Sequence, residues 1–139
     1  MVSTVFFADR NLGKQFPSIL IDAGLRVERH DDHFGPGTPD VEWIPVVAGR
    51  GWVAISHDER IRYKPNEKAA VLTHGLGLLL VAGKAPFPEL ARQFLRTLPR
   101  VERFLAAHHP PFIAKVRRAA PRELARDPDA SGTVELLLP

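Results

Sequence analysis

Three aspartates in the first half of the chain stand where short apolar runs end or begin. Asp9 follows "STVFFA", Asp40 lies between a Gly/Pro-rich loop and "VEWIPVV", and Asp58 falls just past "WVAIS". Carboxylates brought to one place repel one another, and a hard divalent cation such as Mg²⁺ or Mn²⁺ relieves the repulsion. A cation held this way orients a water, lowers its pKa and neutralises charge developing on a phosphodiester, so the trio suits metal-assisted hydrolysis. Basic residues sit beside the acids: Arg10 and Lys14 near Asp9, and Arg60, Arg62 and Lys64 after Asp58. Arginine offers a planar fork to phosphate oxygens, which makes these five the candidate substrate contacts. Each acid also has a plain structural reading. Asp9 can cap the following helix with Asn11, Asp40 can be an N-cap, and Asp58 can serve a turn.

The elements that must position these residues follow from periodicity. "STVFFA" (3–8) reads as a buried strand, and "LGKQFPSILIDAG" as a helix with Phe16, Ile19 and Leu20 on one face and Gly24 at its left-handed end. "LRVERH" (25–30) alternates like a second strand and enters the loop "DDHFGPGTPD". A short helix starting at Asp40 should be limited or distorted by Pro45 and end at Gly49 and Gly51. "WVAIS" (52–56) is a third strand, a helix covers about 66–74, and "GLLLVA" (77–82) is a fourth strand. From Pro88 to His108 an amphipathic pattern carries Leu90, Phe94, Val101 and Leu105, which Pro99 should break into two pieces. Two further strand-like runs, 112–116 and 133–139, flank a polar loop. Strand and helix alternate over residues 1–83, which predicts an α/β fold with a mainly parallel sheet covered by helices on both faces. In such sheets sites form beyond the carboxyl ends of the strands, where Asp9 and Asp58 are expected.

The bulk numbers set bounds. A chain of 139 residues suits one domain, here an acidic-site core (1–83) with a helical and β tail (84–139). The absence of cysteine excludes thiolate metal sites. No apolar run approaches the roughly 20 residues needed to cross a bilayer, and no basic-then-apolar leader is visible, so a cytoplasmic protein is expected. Acids and bases nearly balance over residues 1–83, with 9 Lys/Arg against 10 Asp/Glu, whereas residues 84–139 carry 10 against 6. A basic surface beside an acidic centre is the pairing a phosphodiester favours. His30, His33 and His57 share the acidic loops and could assist as a ligand or proton carrier, although surface roles fit them better. His108 and His109 read as helix-end caps, and Trp43 and Trp52 as core.

Taken together, "VFFADRNLGK" (5–14), "HFGPGTPDVEWI" (33–44) and "GWVAISHDERIRY" (51–63) resemble the PIN-like nuclease domain, in particular the short VapC-type toxins. The resemblance implies a single PIN-like domain with C-terminal strands that uses Mg²⁺ or Mn²⁺ to cut RNA until a cognate antitoxin blocks the site. It places Asp9, Asp40 and Asp58 as the first, second and third acids. Where the family has a central Glu this chain has Asp40 or Glu42, and Glu67 is the more distant acid. The apolar face of residues 90–105 further suggests a homodimer. Two other classes stay open: a PIN-like module that binds RNA or antitoxin without cutting, and a phospho-receiver-like domain with Lys84 as its strand-end lysine.

Overall fold

The computed structural model describes residues 4–138, apart from the side chains of Glu59 and Arg62. Five strands run parallel: β1 (Val5–Ala8), β2 (Arg26–Arg29), β3 (Val53–Ser56), β4 (Gly77–Val81) and β5 (Phe112–Arg117). A sixth, β6 (Thr133–Leu138), pairs antiparallel with β5, and the order across the sheet is β2-β1-β3-β4-β5-β6. The helices are α1 (Gln15–Asp22), α2 (Asp40–Gly49), α3 (Pro65–His74), α4 (Phe87–Ala107) and α5 (Pro121–Arg126).

Both sheet faces are buried, as a parallel sheet requires. The period of two divides the strand residues. Phe6, Ala8, Ile55, Leu79 and Ala114 join Phe16 and Leu20 of α1 and Leu90 and Phe94 of α4 in one core. Phe7, Ala54, Leu78, Leu80 and Ile113 join Trp43, Ile44 and Val47 of α2 and Val71 of α3 in the other. Gly24 takes φ 97° directly after the capping residue of α1, where a side chain would be strained.

Pro99 does not break the long helix: α4 is continuous over 21 residues with Pro99 exposed inside it. An interior proline costs about 3 kcal/mol, while burying Val101 and Phe104 beyond it contributes roughly 1.5–3 kcal/mol each, so packing outweighs the lost hydrogen bond. The same reasoning covers α2, which passes through Pro45 with Trp43, Ile44 and Val47 fully buried. The apolar face of 90–105 is mostly covered by this chain's own sheet and α1, so it supplies no argument for a homodimer. The polar segment between the last two strands contains α5, and both strands extend the one sheet. Gly132 clamps the start of β6 to α4: its N–H donates to Thr97 Oγ1 at 2.9 Å, and its carbonyl accepts from Arg100 Nη1 at 2.6 Å. Among the described residues no helix is long and apolar enough to cross a membrane.

The topology decides where chemistry can sit. From β1 the chain moves outward to β2, then returns to lay β3 on the other side of β1. The helices that follow β1 and β3 therefore lie on opposite faces of the sheet, and a crevice opens at the carboxyl ends of these strands, the usual ligand position in open α/β sheets.

Candidate active site

Asp9 follows β1 and Asp58 lies two residues past β3, one on each side of that crevice. Each heads a 3-10 turn and caps it. Asp9 Oδ1 accepts from the Arg10 N–H at 2.7 Å, and Asp58 Oδ1 accepts from the Arg60 N–H at 3.1 Å. Capping and site roles are thus compatible, because a carboxylate accepts more hydrogen bonds than a cap uses. Asp40 is not the N-cap expected of it. Pro39, with φ −62° and ψ 152°, holds that position, and Asp40 opens the first turn with Oδ1 accepting from Trp43 Nε1 at 2.8 Å.

Asp9, Asp40 and Asp58 line one cavity of about 520 Å³, together with Arg10, Lys14 and His30. Glu42 and Glu67 are not among its lining residues. Burial pushes the Asp9 carboxyl above its ordinary pKa, and the nearby charge of Asp40 adds to this; hydrogen bonds from Arg10 and Ser56, and His30, work in the opposite direction. At Asp58 burial also pushes upward. There the side-chain and backbone hydrogen bonds from Arg60, with the charges of Lys64 and Arg60, prevail and hold the carboxyl below its ordinary pKa.

The hub between the two acids is a residue that periodicity placed only at the end of a strand. Ser56, fully buried, donates its hydroxyl to Asp9 Oδ2 at 3.0 Å and accepts from Asn11 Nδ2 at 3.0 Å and from the Asp58 N–H at 3.2 Å. Asn11 Oδ1 in turn accepts from the His57 N–H at 3.1 Å, tying the β1 loop to the β3 loop. The available signal was a small polar residue on an otherwise apolar strand, one step before His-Asp.

The predicted phosphate contacts divide. Arg10 and Lys14 line the acidic cavity, with Arg10 also 3.3 Å from Asp31. Arg60 and Lys64 engage Asp58 at 3.1 and 3.5 Å, and Arg60 points the way to a second cleft. The Arg62 side chain lies outside the described residues. Of the loop histidines only His30 lines the cavity. It is buried, and its Nδ1 has no hydrogen-bond partner among the described residues, with Asp31 Oδ1 3.6 Å away. His33 pairs with Glu28 at 2.9 Å, and His57 Nε2 meets the Gly83 carbonyl at 2.8 Å. His108 does cap, with Nδ1 2.9 Å from the Phe104 carbonyl.

For a divalent cation the donor chemistry fits: hard carboxylate oxygens, one carboxylate buried against a like charge, and a buried imidazole nitrogen with no hydrogen-bond partner among the described residues. Among the described residues, however, no three His, Asp or Glu side chains stand close enough to hold an ion between them.

A six-stranded, mostly parallel sheet with carboxylates gathered at its switch point defines an α/β protein with an acidic site at the carboxyl edge. Residues 4–83 match the family described as "PIN like domain". The chain is also 34% identical over 117 residues to "Putative ribonuclease VapC45" of Mycobacterium tuberculosis, covering 79% of this chain and 83% of that protein. The chain belongs to the PIN-like domain family. No solved structure matches it significantly.

Proposed function

We propose that the protein is a metal-dependent endoribonuclease, the toxin of a cytoplasmic toxin–antitoxin pair whose cognate antitoxin blocks the acidic site. The observation that carries this reading is the single cavity shared by Asp9, Asp40 and Asp58 at the switch point of the sheet. Family membership and the ribonuclease name of the mycobacterial relative support it.

In this reading Mg²⁺ or Mn²⁺ would be held by Asp9, Asp40 and Asp58, which line one cavity and would have to draw closer around it, with His30 as a further donor beside them. The cation, when bound, supplies an acidified water and neutralises charge on the phosphodiester. The chain's own residues do the rest. Arg10 and Lys14 bind phosphate oxygens next to the acids. Ser56 and Asn11 hold the Asp9 and Asp58 loops in register, and the hydrogen bond from Ser56 favours the ionised form of Asp9. Arg60 and Lys64 keep Asp58 ionised.

The spread of the acids favours a second reading, a PIN-like module that binds RNA or antitoxin without cutting. One experiment separates the two. Purified protein is mixed with varied RNAs in Mn²⁺ or Mg²⁺, with and without chelator, beside Asp58→Asn. Chelator-sensitive cleavage lost in Asp58→Asn, with the circular dichroism unchanged, is the expected result. RNA retention without cleavage selects the binding module, and an active Asp58→Asn protein removes Asp58 from the site.

A further inference from the structure

A second concavity, about 830 Å³, opens beside the acidic cavity at the carboxyl ends of β3, β4 and β5, and the two share Asn11 and Asp58. Its lining is strongly one-signed: Arg60 comes from the turn after β3, Lys84 from the loop after β4, and Lys115, Arg117 and Arg118 from β5 and its end. Asp58 is the one acid lining it among the described residues. Arg60 is answered by Asp58, and Arg117 by Glu135 at 3.1 Å. Lys84 and Arg118 are exposed and have no hydrogen-bond or ion-pair partner among the described residues.

Positive charges converging in a concave site repel one another and contribute nothing to folding that a neutral surface would not. They do raise the local concentration of polyanions. Four of the five cations lie beyond residue 83, outside the segment matched by the family. The basic excess of the C-terminal part of the sequence is thus partly gathered into one cleft that leads into the acidic cavity.

We infer that this cleft carries the phosphate backbone of a single RNA strand on one side of the scissile position, with Lys84 and Arg118 as its phosphate contacts. The inference rests on the ribonuclease reading for the strand's entry into the acidic cavity. The shared wall favours RNA over an acidic protein, since a polyphosphate strand can occupy both concavities at once with a charge at every nucleotide.

The test measures binding in chelator, so cleavage does not enter it. Anisotropy of a fluorescein-labelled single-stranded 12-mer RNA is followed at several KCl concentrations for wild type, Lys84→Ala/Arg118→Ala, and a control, Arg122→Ala/Arg126→Ala. The control removes two exposed α5 cations that do not line the cleft. Losing two phosphate contacts should make the slope of log K against log[KCl] shallower by about 1.4 and weaken binding roughly tenfold or more at low salt. The control should keep the wild-type slope, and urea midpoints should agree across all three proteins. An unchanged slope in Lys84→Ala/Arg118→Ala overturns the inference, as does an equal loss in the control. Loss of oligoglutamate binding with RNA binding intact also overturns it, in favour of an acidic protein partner. A protein that binds RNA through Lys84 and Arg118 but cuts nothing refutes the nuclease reading alone, whereas one that cuts with an unchanged slope refutes only this inference.

Discussion

Replacing Ser56 with alanine tests the hub of the site by a quantity that needs no substrate. The hydroxyl is fully buried and makes three hydrogen bonds: one donated to Asp9 Oδ2 and two accepted, from Asn11 Nδ2 and the Asp58 N–H. A hydrogen bond to an ionised group contributes about 1.5–3 kcal/mol. The exposed Asn11 amide can turn to water, but the part-buried Asp58 N–H loses its acceptor at roughly 1 kcal/mol. Ser56→Ala should therefore lose about 2–4 kcal/mol, a large share of the 5–15 kcal/mol typical of a domain. The loss has a sign with pH. Ser56 lowers the pKa of Asp9, so its removal raises the folded-state value further above that of the unfolded chain. The folded variant then holds its proton more tightly, and its stability falls as pH rises through that interval. Urea unfolding at about pH 7 and about pH 4 reads both effects, with the larger difference from wild type expected at the higher pH. A loss below about 0.5 kcal/mol at both pH values would refute the network, because a hydrogen bond to a buried carboxylate contributes about 1.5–3 kcal/mol.

Other expectations follow from the same geometry. Asp9→Asn should abolish cleavage and remove the part of the pH dependence that a buried charge facing Asp40 contributes; Asn has one acceptor oxygen where both Asp9 oxygens accept, so the variant loses a hydrogen bond at every pH, and its deficit against wild type should narrow as pH rises through the raised Asp9 pKa, as thermal melts across pH would record. Pro99→Ala should stabilise by about 1–3 kcal/mol in urea, by restoring a hydrogen bond in a helix that packing already holds together; no gain would mean that α4 is kinked there. Gly132→Ala should destabilise by more than about 2 kcal/mol, because its Cβ would meet the Arg117 carbonyl, which is backbone and cannot turn aside. Hydrogen exchange should then quicken first in β6, and uniform exchange would count against a local clash.

Much of the fold is legible in residues 4–83. The short apolar runs "STVFFA" and "WVAIS", the helical spacing of Phe16 and Leu20, and Gly24 after them are local signals of buried strands, a buried helix face and a chain reversal. Pro99 misleads for a physical reason: proline's penalty is local and visible in sequence, whereas the burial that outweighs it comes from β-strands remote in the chain. Asp40 misleads similarly, because Trp43 Nε1, buried by the sheet, takes the carboxylate that an N-cap would have used.

By itself the sequence determines which residues are chemically able: carboxylates at strand ends, arginines beside them, no thiols, and a basic excess toward the C-terminus. Those are properties of residue type and short spacing. Tertiary structure alone decides which of them meet. It sets Asp9, Asp40 and Asp58 on one cavity while leaving Glu42 and Glu67 off it, makes Ser56 the link between two loops, and gathers Lys84 and Arg118 beside Asp58. The reason is the strand order: β1 and β3 become neighbours across 40 and more residues of intervening chain, and no local pattern encodes a contact between segments that only the folded sheet brings together.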